Sequence, residues 1–206
     1  METVAIDNSL VIKKSLHVLG GGGVILYPTD TVYGLGADAT NSEAVKKIID
    51  IKRREEDKTF LVMVHDIKML KKYAEVSTTA EHLVHEFLPG ALTLVLTAKG
   101  GDLKGVQRED GSIGFRIPNH SFCLELTKYF LKPIVSTSAN TSGAVTPKNI
   151  TDVLGQLGKD SRQIDMAVDG GSVQKNVPST IVDARNEKIT ILREGAVSKE
   201  LLTTFL

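Results

Sequence analysis

Hydroxyl and amide side chains stand at alternate positions in residues 136–143, a polar stretch that follows a short apolar run. In an extended chain, positions i, i+2 and i+4 face the same side, so Ser136, Ser138 and Asn140 would point together. Neutral donors and acceptors of this kind suit the oxygens of a triphosphate or a ribose. A serine-rich loop that caps the next helix explains the same residues equally well. The segment is therefore a candidate ligand contact with one open alternative.

Two cations stand at i and i+2 where a predicted helix over residues 42–51 ends. If the helix stops near Ile51, the chain beyond it is extended, and Lys52 and Arg54 point to the same side. We therefore expect both side chains to be exposed. A neighbouring ammonium and guanidinium form a cradle for phosphate or carboxylate oxygens. The alternative is a solvated helix end whose cations complement the helix dipole, and the spacing alone favours that alternative.

A third polar stretch, residues 27–36 with the sequence YPTDTVYGLG, directly follows a predicted strand. Ligands of open α/β sheets usually bind in loops that follow strands, which makes Thr29 and Thr31 candidate ligand contacts. The alternative is an ordinary turn, because proline, aspartate and glycine are turn residues. Two further cations, Arg116 and Arg193, lie inside β-patterned runs. Each is weak evidence by itself, since an arginine in a strand can face solvent.

These candidates need a scaffold, and hydrophobic periodicity predicts one in which helices and strands alternate early and strands predominate late. Predicted helices cover residues 9–19, 42–51, 67–74, 79–87, 122–131 and 150–157. Predicted strands cover residues 24–27, 60–64, 92–96, 113–117, 134–135, 164–168, 180–183 and 189–192. Thr78 and Glu81 form a capping-box pattern that would open the fourth helix. The order of elements indicates the α/β (α+β) class, with helices packed on a mixed sheet.

Length and composition limit the class of protein. The chain has 206 residues, of which 41% are hydrophobic and 24% are charged, so one globular domain over residues 1–206 is expected. Lysine and arginine total 25, as do aspartate and glutamate, which argues against a nucleic-acid binder that depends on bulk phosphate neutralisation. The sequence contains no apolar stretch long enough to span a membrane and no secretory signal at its start. We expect a cytoplasmic enzyme or binding domain without a membrane partner.

Several kinds of site are missing from the sequence. The single cysteine, Cys123, excludes an intramolecular disulfide and is predicted to be a small core residue. His82 and His85 lack the second cluster that a metal site needs, so no tightly bound, protein-ligated metal is expected. Neither a P-loop nor a spaced dinucleotide fingerprint is present. The glycines at residues 20–23 follow a predicted helix and are explained by a helix stop and turn.

Taken in order, the motifs PTDTVYGLG, Lys52-x-Arg54, SIGFRIP, STSAN-x-SG and PST-IVD resemble those of the YrdC-like family, the L-threonylcarbamoyladenylate synthases. The resemblance runs from about residue 9 to residue 195, and PTDTVYGLG and STSAN are its specific parts. It implies a YrdC-like fold with a twisted mixed sheet, flanking helices and a concave, positively charged cavity. The length is similar to that of the short, single-domain form of the family.

The resemblance also implies an activity. Family members make threonylcarbamoyl-AMP and pyrophosphate from L-threonine, bicarbonate and ATP, with Mg²⁺ accompanying the ATP. A separate threonylcarbamoyl transferase complex then uses the product to modify tRNA, and a weak direct contact with tRNA is allowed. The residues agree with this chemistry, because bringing two anions together needs cations and donors around the phosphates and no covalent nucleophile.

Position by position, the resemblance assigns three sets of residues. The catalytic set is Lys52, Arg54, Ser138 and Asn140. The threonine-binding set is Thr29, Thr31, Arg116, Ser136 and Ser179. The nucleotide-binding set is Lys52, Ser112, Ser138, Asn140, Thr146 and Arg193. A guanidinium for the carboxylate and a hydroxyl partner for the threonine side chain could together reject amino acids that lack that hydroxyl.

Two departures from the family pattern follow the cationic pair. Glu55 replaces the proline that many members have there, and Met63 stands where some members have a histidine. Two other functions compete with the synthase: an RNA-binding module with the same fold, and a paralogue that acts on another carbamoyl or acyl adenylate. The balanced net charge argues against the first. The presence of Ser138 and Asn140 argues against the second.

Overall fold

One mixed sheet with helices on both faces forms the framework of the molecule. The structure is a computed structural model that describes residues 1–53, 60–103, 105–174 and 177–204. Within these ranges the strands are β1 (Glu2–Ala5), β2 (Ile25–Pro28), β3 (Tyr33–Asp38), β4 (Leu61–Met63), β5 (Leu92–Thr97), β6 (Ser112–Arg116), β7 (Ile134–Ser138), β8 (Met166–Asp169), β9 (Thr180–Asp183) and β10 (Thr190–Arg193). The helices are α1 (Val11–Gly20), α2 (Ser42–Lys52), α3 (Ile67–Tyr73), α4 (Thr78–Phe87), α5 (Ser121–Phe130), α6 (Ile150–Leu157) and α7 (Lys199–Thr203), and a 3₁₀ helix covers Gly158–Gln163.

The strands in the described ranges form one ten-stranded sheet in the order β1-β8-β2-β3-β7-β4-β6-β5-β9-β10. Four neighbouring pairs are parallel, namely β1 with β8, β2 with β8, β4 with β6, and β5 with β9. The other five pairs are antiparallel. The sheet is therefore mixed and twisted, with flanking helices, which confirms the predicted fold class. Its order places strands from the two halves of the chain side by side.

Alternation along the strands gives each face of the sheet its own apolar core. On one face, Ala44, Ile48 and Ile51 of α2 are buried together with the inner sides of α3, α4 and α6, and we call this cluster the α2 core. Leu26 of β2 belongs to it. The opposite face carries the α5 core. Its buried members are Val4, Val11, Leu19, Ile25, Tyr27, Met63, Phe122, Cys123, Leu126, Ile134, Met166 and Val168. The burial of the cysteine confirms its prediction as a small core residue.

The helices in the described ranges are short, and several begin at a side-chain cap. Asn41 caps α2, since its side chain accepts a hydrogen bond from the backbone N–H of Ala44 at 3.2 Å. α4 is capped by Ser77, whose hydroxyl oxygen accepts from the N–H of Ala80 at 3.1 Å. The prediction that Thr78 caps this helix was therefore wrong by one residue. No helix among these residues combines the length and apolar character needed to cross a membrane.

The predicted helices and strands are present with ends that shift by a few residues, whereas β1, β3, α7 and the 3₁₀ helix were not predicted. β3 escaped prediction because Gly34 and Gly36 have low strand propensity and follow a run of turn residues. It pairs antiparallel with β2. Residues 27–36, expected to form a loop, are therefore a hairpin whose turn carries Thr29 and Thr31.

Candidate active site

A cavity of about 490 Å³ opens on the sheet face that also carries the α5 core. In β4, Leu61 and Met63 line the cavity, while Val62 between them belongs to the α2 core. In β7, the consecutive residues Ser136, Thr137 and Ser138 all line it. β4 and β7 therefore form part of the cavity floor, and side-chain alternation selects the lining residues in β4.

Nine predicted site residues line this cavity, although they come from segments that are far apart in the sequence. Those with hydroxyl or amide groups are Thr29, Thr31, Ser136, Ser138, Asn140, Thr146 and Ser179. Those with guanidinium groups are Arg116 and Arg193. They lie in the β2–β3 turn, at the ends of β6 and β10, in β7 and the loop after it, before α6, and before β9. The fold thus assembles one site from most of the chain.

Three hydrogen bonds hold Arg116 in place at the end of β6. Its Nε donates to the carbonyl oxygen of Gly90 at 2.8 Å, and its Nη1 donates to Oγ1 of Thr31 at 2.9 Å. Its Nη2 donates to Oδ1 of Asp30 at 2.7 Å. A guanidinium has five N–H donors, so these bonds leave two. Arg116 presents a fixed positive charge that can bind a carboxylate or phosphate oxygen.

Arg193 supplies a second positive charge from the edge strand β10. Its Nη2 donates to the carbonyl oxygen of Ser179 at 2.7 Å. Desolvation, followed by repulsion from Arg116, lowers the pKa of Arg193 below the ordinary arginine value. No carboxylate is among the described residues that line the cavity, and Asp30, which pairs with Arg116, balances only one of the two charges. An anion in the cavity would therefore be attracted by the remaining positive charge and by the free N–H groups of Arg116.

Thr29 organises the turn between β2 and β3. Its Oγ1 donates to the carbonyl oxygen of Val32 at 2.7 Å and accepts from the backbone N–H of Thr31 at 3.1 Å. The Oγ1 atoms of the two threonines lie 3.0 Å apart. Thr29 therefore builds the turn, as the alternative interpretation expected, and both threonines also line the cavity. Their contact with a ligand stays a prediction.

Ser136 receives a hydrogen bond from Tyr27, which begins the third polar stretch but was not predicted as a site residue. The hydroxyl group of Tyr27 donates to Oγ of Ser136 at 2.8 Å, and Tyr27 is fully buried. Burial raises the pKa of Tyr27, so the phenol keeps its proton. The two residues lie 109 positions apart, and no local pattern in the sequence links them.

Lys52 is 2% exposed, so the prediction that its side chain is exposed was wrong. α2 extends one residue past its predicted end, which places Lys52 four residues after Ile48 on the buried side of the helix. Its ammonium group donates to the backbone carbonyl oxygens of Ser138 and Asn140, and also to Oδ1 of Asn140 at 3.1 Å. Lys52 thus supports residues 138–140 from the α2 side and is not among the described residues that line the cavity.

The side chain of Asn140 closes the loop that follows β7. Its Nδ2 donates to the carbonyl oxygens of Thr141 at 3.0 Å and Ala144 at 2.5 Å. Its Oδ1 accepts from Lys52, so both ends of the amide contact the protein. The loop that carries the predicted nucleotide contacts is therefore shaped by Asn140 itself.

Two further predicted site residues are Ser112 and Arg54. Arg54 falls outside the described residues. Ser112 stands at the opposite end of β6 from Arg116 and is not among the described residues that line the cavity. Its hydroxyl donates to Oδ1 of Asp110 at 2.6 Å, and its backbone N–H donates to the same atom at 3.0 Å. Ser112 thus has a structural role in the turn before β6, and its contact with a nucleotide stays a prediction.

The sequence matches the family model Sua5_yciO_yrdC, whose description is telomere recombination, over residues 17–195. This match covers well over half of the chain. The chain belongs to the Sua5/YciO/YrdC family. Membership confirms the resemblance that the ordered motifs carried.

Members of the Sua5/YciO/YrdC family are similar to this chain in sequence and in fold. The threonylcarbamoyl-AMP synthase of Pseudoalteromonas translucida is 36% identical over 184 residues, which cover 86% of this chain and 95% of the relative. The structure of P. abyssi Sua5 complexed with L-threonine has a TM-score of 0.88 and 29% identity, and covers 100% of this chain and 60% of that chain. The structure of E. coli YciO has a TM-score of 0.87 and 25% identity, and covers 98% of both chains. This chain therefore spans three fifths of Sua5 and nearly all of YciO.

Proposed function

We propose that this protein is a threonylcarbamoyl-AMP synthase, which makes threonylcarbamoyl-AMP and pyrophosphate from L-threonine, bicarbonate and ATP. The observation that carries the proposal is the convergence of nine predicted residues on one cavity of about 490 Å³. A volume of this order is typical of small-molecule sites. The names of the synthase relatives and the threonine bound in the Sua5 structure give further support.

The proposed reaction needs no covalent bond to the enzyme. The amine of threonine adds to CO₂ formed from bicarbonate and loses a proton, which gives a carbamate. A carbamate oxygen then bonds to the α-phosphorus of ATP while the bond from that phosphorus to the bridging oxygen breaks. Pyrophosphate leaves with the electron pair. Because two anions must meet, fixed cations and donors lower the barrier most effectively.

In this proposal each of the two arginines binds a different substrate. Arg116, fixed by Asp30 and Thr31, would use its two remaining N–H groups on the carboxylate or carbamate of threonine. Ser179, whose hydroxyl lies 2.8 Å from that of Thr93, would complete the threonine side. Arg193, on the edge strand, would bind the phosphates. Together they would bring positive charge to the place where the two anions approach each other.

The nucleotide would lie over the loop that follows β7. Ser138 and Thr146 line the cavity there with hydroxyl groups, and Asn140 shapes the loop. Lys52 would act by holding this loop rather than by touching the triphosphate, because its ammonium already contacts the loop carbonyls. The contact of Arg54 with the threonine carboxylate or carbamate stays a prediction.

We place Mg²⁺ on the ATP rather than on the protein. Nucleotide-bound Mg²⁺ is held by phosphate oxygens, water molecules and at most a few carboxylates. The described cavity wall offers hydroxyl, amide and guanidinium groups and no carboxylate, which fits an ion that arrives with the triphosphate. When bound, the ion neutralises phosphate charge.

The product is an activated acyl adenylate, so a separate transferase complex would consume it to modify tRNA. A reaction that uses ATP and serves tRNA modification would take place in the cytoplasm. Direct contact with tRNA would be weak, because the net charge is zero and bulk attraction to phosphates is small.

Pyrophosphate release by the purified protein tests the proposal. We expect release only when threonine, bicarbonate and ATP are all present, and much slower release with alanine, which lacks the hydroxyl group. Arg193→Met should lower kcat/KM at least tenfold, whereas Lys188→Met, an exposed lysine near the same strand, should not change it. Release that does not depend on threonine would contradict the proposal. Salt-sensitive RNA binding without that activity would favour the RNA-binding module instead.

A further inference from the structure

We propose that Tyr27 is a positioning residue whose buried hydroxyl directs the proton of the Ser136 hydroxyl into the cavity. The inference rests on the proposed function, since it concerns the orientation of one group in the same site. Tyr27 is fully buried and is not among the described residues that line the cavity. Any effect on a bound substrate must therefore pass through a residue that Tyr27 contacts.

The contacts of the Tyr27 hydroxyl identify that residue. The oxygen lies 2.8 Å from Oγ of Ser136 and 3.6 Å from the sulfur of Met63. A thioether is a weak acceptor, so the phenolic proton points to Ser136. Burial raises the pKa of Tyr27, which keeps this proton on the phenol across the neutral range.

This bond leaves the Ser136 proton for a ligand. A serine hydroxyl has one proton and two acceptor positions, and Tyr27 occupies one acceptor position. The proton must then point away from Tyr27, and Ser136 lines the cavity. Ser136 thus becomes an oriented donor. In the proposed reaction, threonine and ATP both bring anionic oxygens to the cavity floor. A donor that is already oriented can bind such an oxygen without first losing rotational freedom.

The tyrosine ring is held rigidly enough to perform this role. On one side it packs against Phe122 of α5, with ring centroids 5.9 Å apart. On the other side it lies over the backbone of β3, where a Cβ at Gly36 would come within 2.7 Å of Cε1 of the ring. Only glycine at this position leaves room for the ring. The hydroxyl is therefore fixed under Ser136 by packing, independently of the hydrogen bond.

A double-mutant cycle tests the inference. Tyr27→Phe removes the hydroxyl and keeps the ring, so the variant should fold, which thermal unfolding verifies. It should lower kcat/KM for threonine-dependent pyrophosphate release roughly three- to tenfold, the size expected from one neutral hydrogen bond. In the Ser136→Ala background, the same substitution should change kcat/KM less than about twofold, because its target is gone.

Tyr33→Phe is the matched control. Tyr33 is also a fully buried residue and its side chain belongs to the α2 core. Its hydroxyl donates to the carbonyl oxygen of Gly171 at 2.8 Å and accepts from the backbone N–H of Gly170 at 3.1 Å, so it contacts no described cavity residue. We expect Tyr33→Phe to fold and to leave kcat/KM unchanged. Wild-type activity in Tyr27→Phe, or an equal loss with and without Ser136, would overturn the inference while leaving the proposed function intact. A wild-type protein with no threonine-dependent release would overturn both.

Discussion

The ammonium nitrogen of Lys52 lies 2.8 Å from the backbone carbonyl oxygen of Asn140, where the end of α2 meets the loop after β7. The contact joins the last residue of a helix to a segment 88 positions later in the chain. It also removes a positive charge from solvent, since Lys52 is buried. The conformation of the loop therefore depends on a cation that does not itself reach the cavity.

Replacing this lysine should destabilise the protein as well as reduce its activity. In Lys52→Met the loop carbonyls lose their buried donor, and we expect the free energy of unfolding to fall by about 2 kcal/mol. Urea denaturation measures this change. Lys46→Met, at an exposed position of the same helix, should change it by less than about 0.5 kcal/mol. Equal denaturation midpoints for the two variants would contradict the supporting role of Lys52.

Asp30 and Arg116 form an ion pair of 2.7 Å with side chains that are 15% and 6% exposed. Asp30→Ala would leave a buried guanidinium without its carboxylate, so the free energy of unfolding should fall by about 3 kcal/mol. The KM for threonine should also rise, because Arg116 loses one of its three anchors. Asp160→Ala breaks a pair with Arg53 whose arginine is 64% exposed, and it should cost about 0.5 kcal/mol at most. Chemical denaturation measures the free energy of unfolding of both variants. If both lose the same amount, burial of the Asp30–Arg116 pair is not what makes it stabilising.

Gly36→Ala should disturb the site through the core. The added methyl group would meet the Tyr27 ring at 2.7 Å and Ile134 at 3.2 Å, so the ring must move and stability should fall by about 1–3 kcal/mol. Gly155→Ala is the control, because that glycine lies in α6 with no atom within 4 Å of the new methyl. This second change should stabilise the helix by roughly 0.5–1 kcal/mol. Calorimetric melting temperatures should therefore move in opposite directions, and a neutral Gly36→Ala would be incompatible with the close packing.

The carboxyl group of Asp110 should titrate at unusually low pH. Hydrogen bonds from the side chain and backbone of Ser112, and then from Arg185, hold the pKa of Asp110 at about 2. Because the folded pKa is depressed, the stabilising contribution is present above the ordinary value near 4 and is lost as the pH falls towards 2. Ser112→Ala should raise the pKa, as read by NMR titration, and weaken this pH dependence. Arg185→Gln should raise it less. An unchanged pKa in Ser112→Ala would show that the assigned cause is wrong.

The sequence predicted the composition of the site better than its internal contacts. Thr29, Ser136 and Arg116 were predicted from polar stretches and family motifs. These motifs are short segments of sequence, so they can be recognised without knowing how the chain packs. The ion pair of Arg116 with Asp30 could not be predicted this way, because it depends on how β6 lies relative to the β2–β3 turn. The hydrogen bond from Tyr27 to Ser136 could not be predicted either, because it depends on how β2 lies relative to β7.

The errors arose where the local preference of a residue differed from its place in the tertiary packing. Lys52 was expected in solvent because the apolar stripe of α2 ends at Ile51, but one further helical residue turns the lysine inward. β3 was expected to be a loop because glycines such as Gly36 signal turns, whereas here the missing side chain makes room for a tyrosine ring. Both cases show tertiary packing overriding a residue's usual preference.

The position of β10 at one edge of the sheet has a consequence for protein synthesis. Thr29, which also lines the cavity, is made much earlier. Arg193 follows much later, so a nascent chain lacks the second guanidinium group until that residue has emerged. If the proposed function holds, translation products that stop before β10 should therefore bind ATP more weakly than the full chain does.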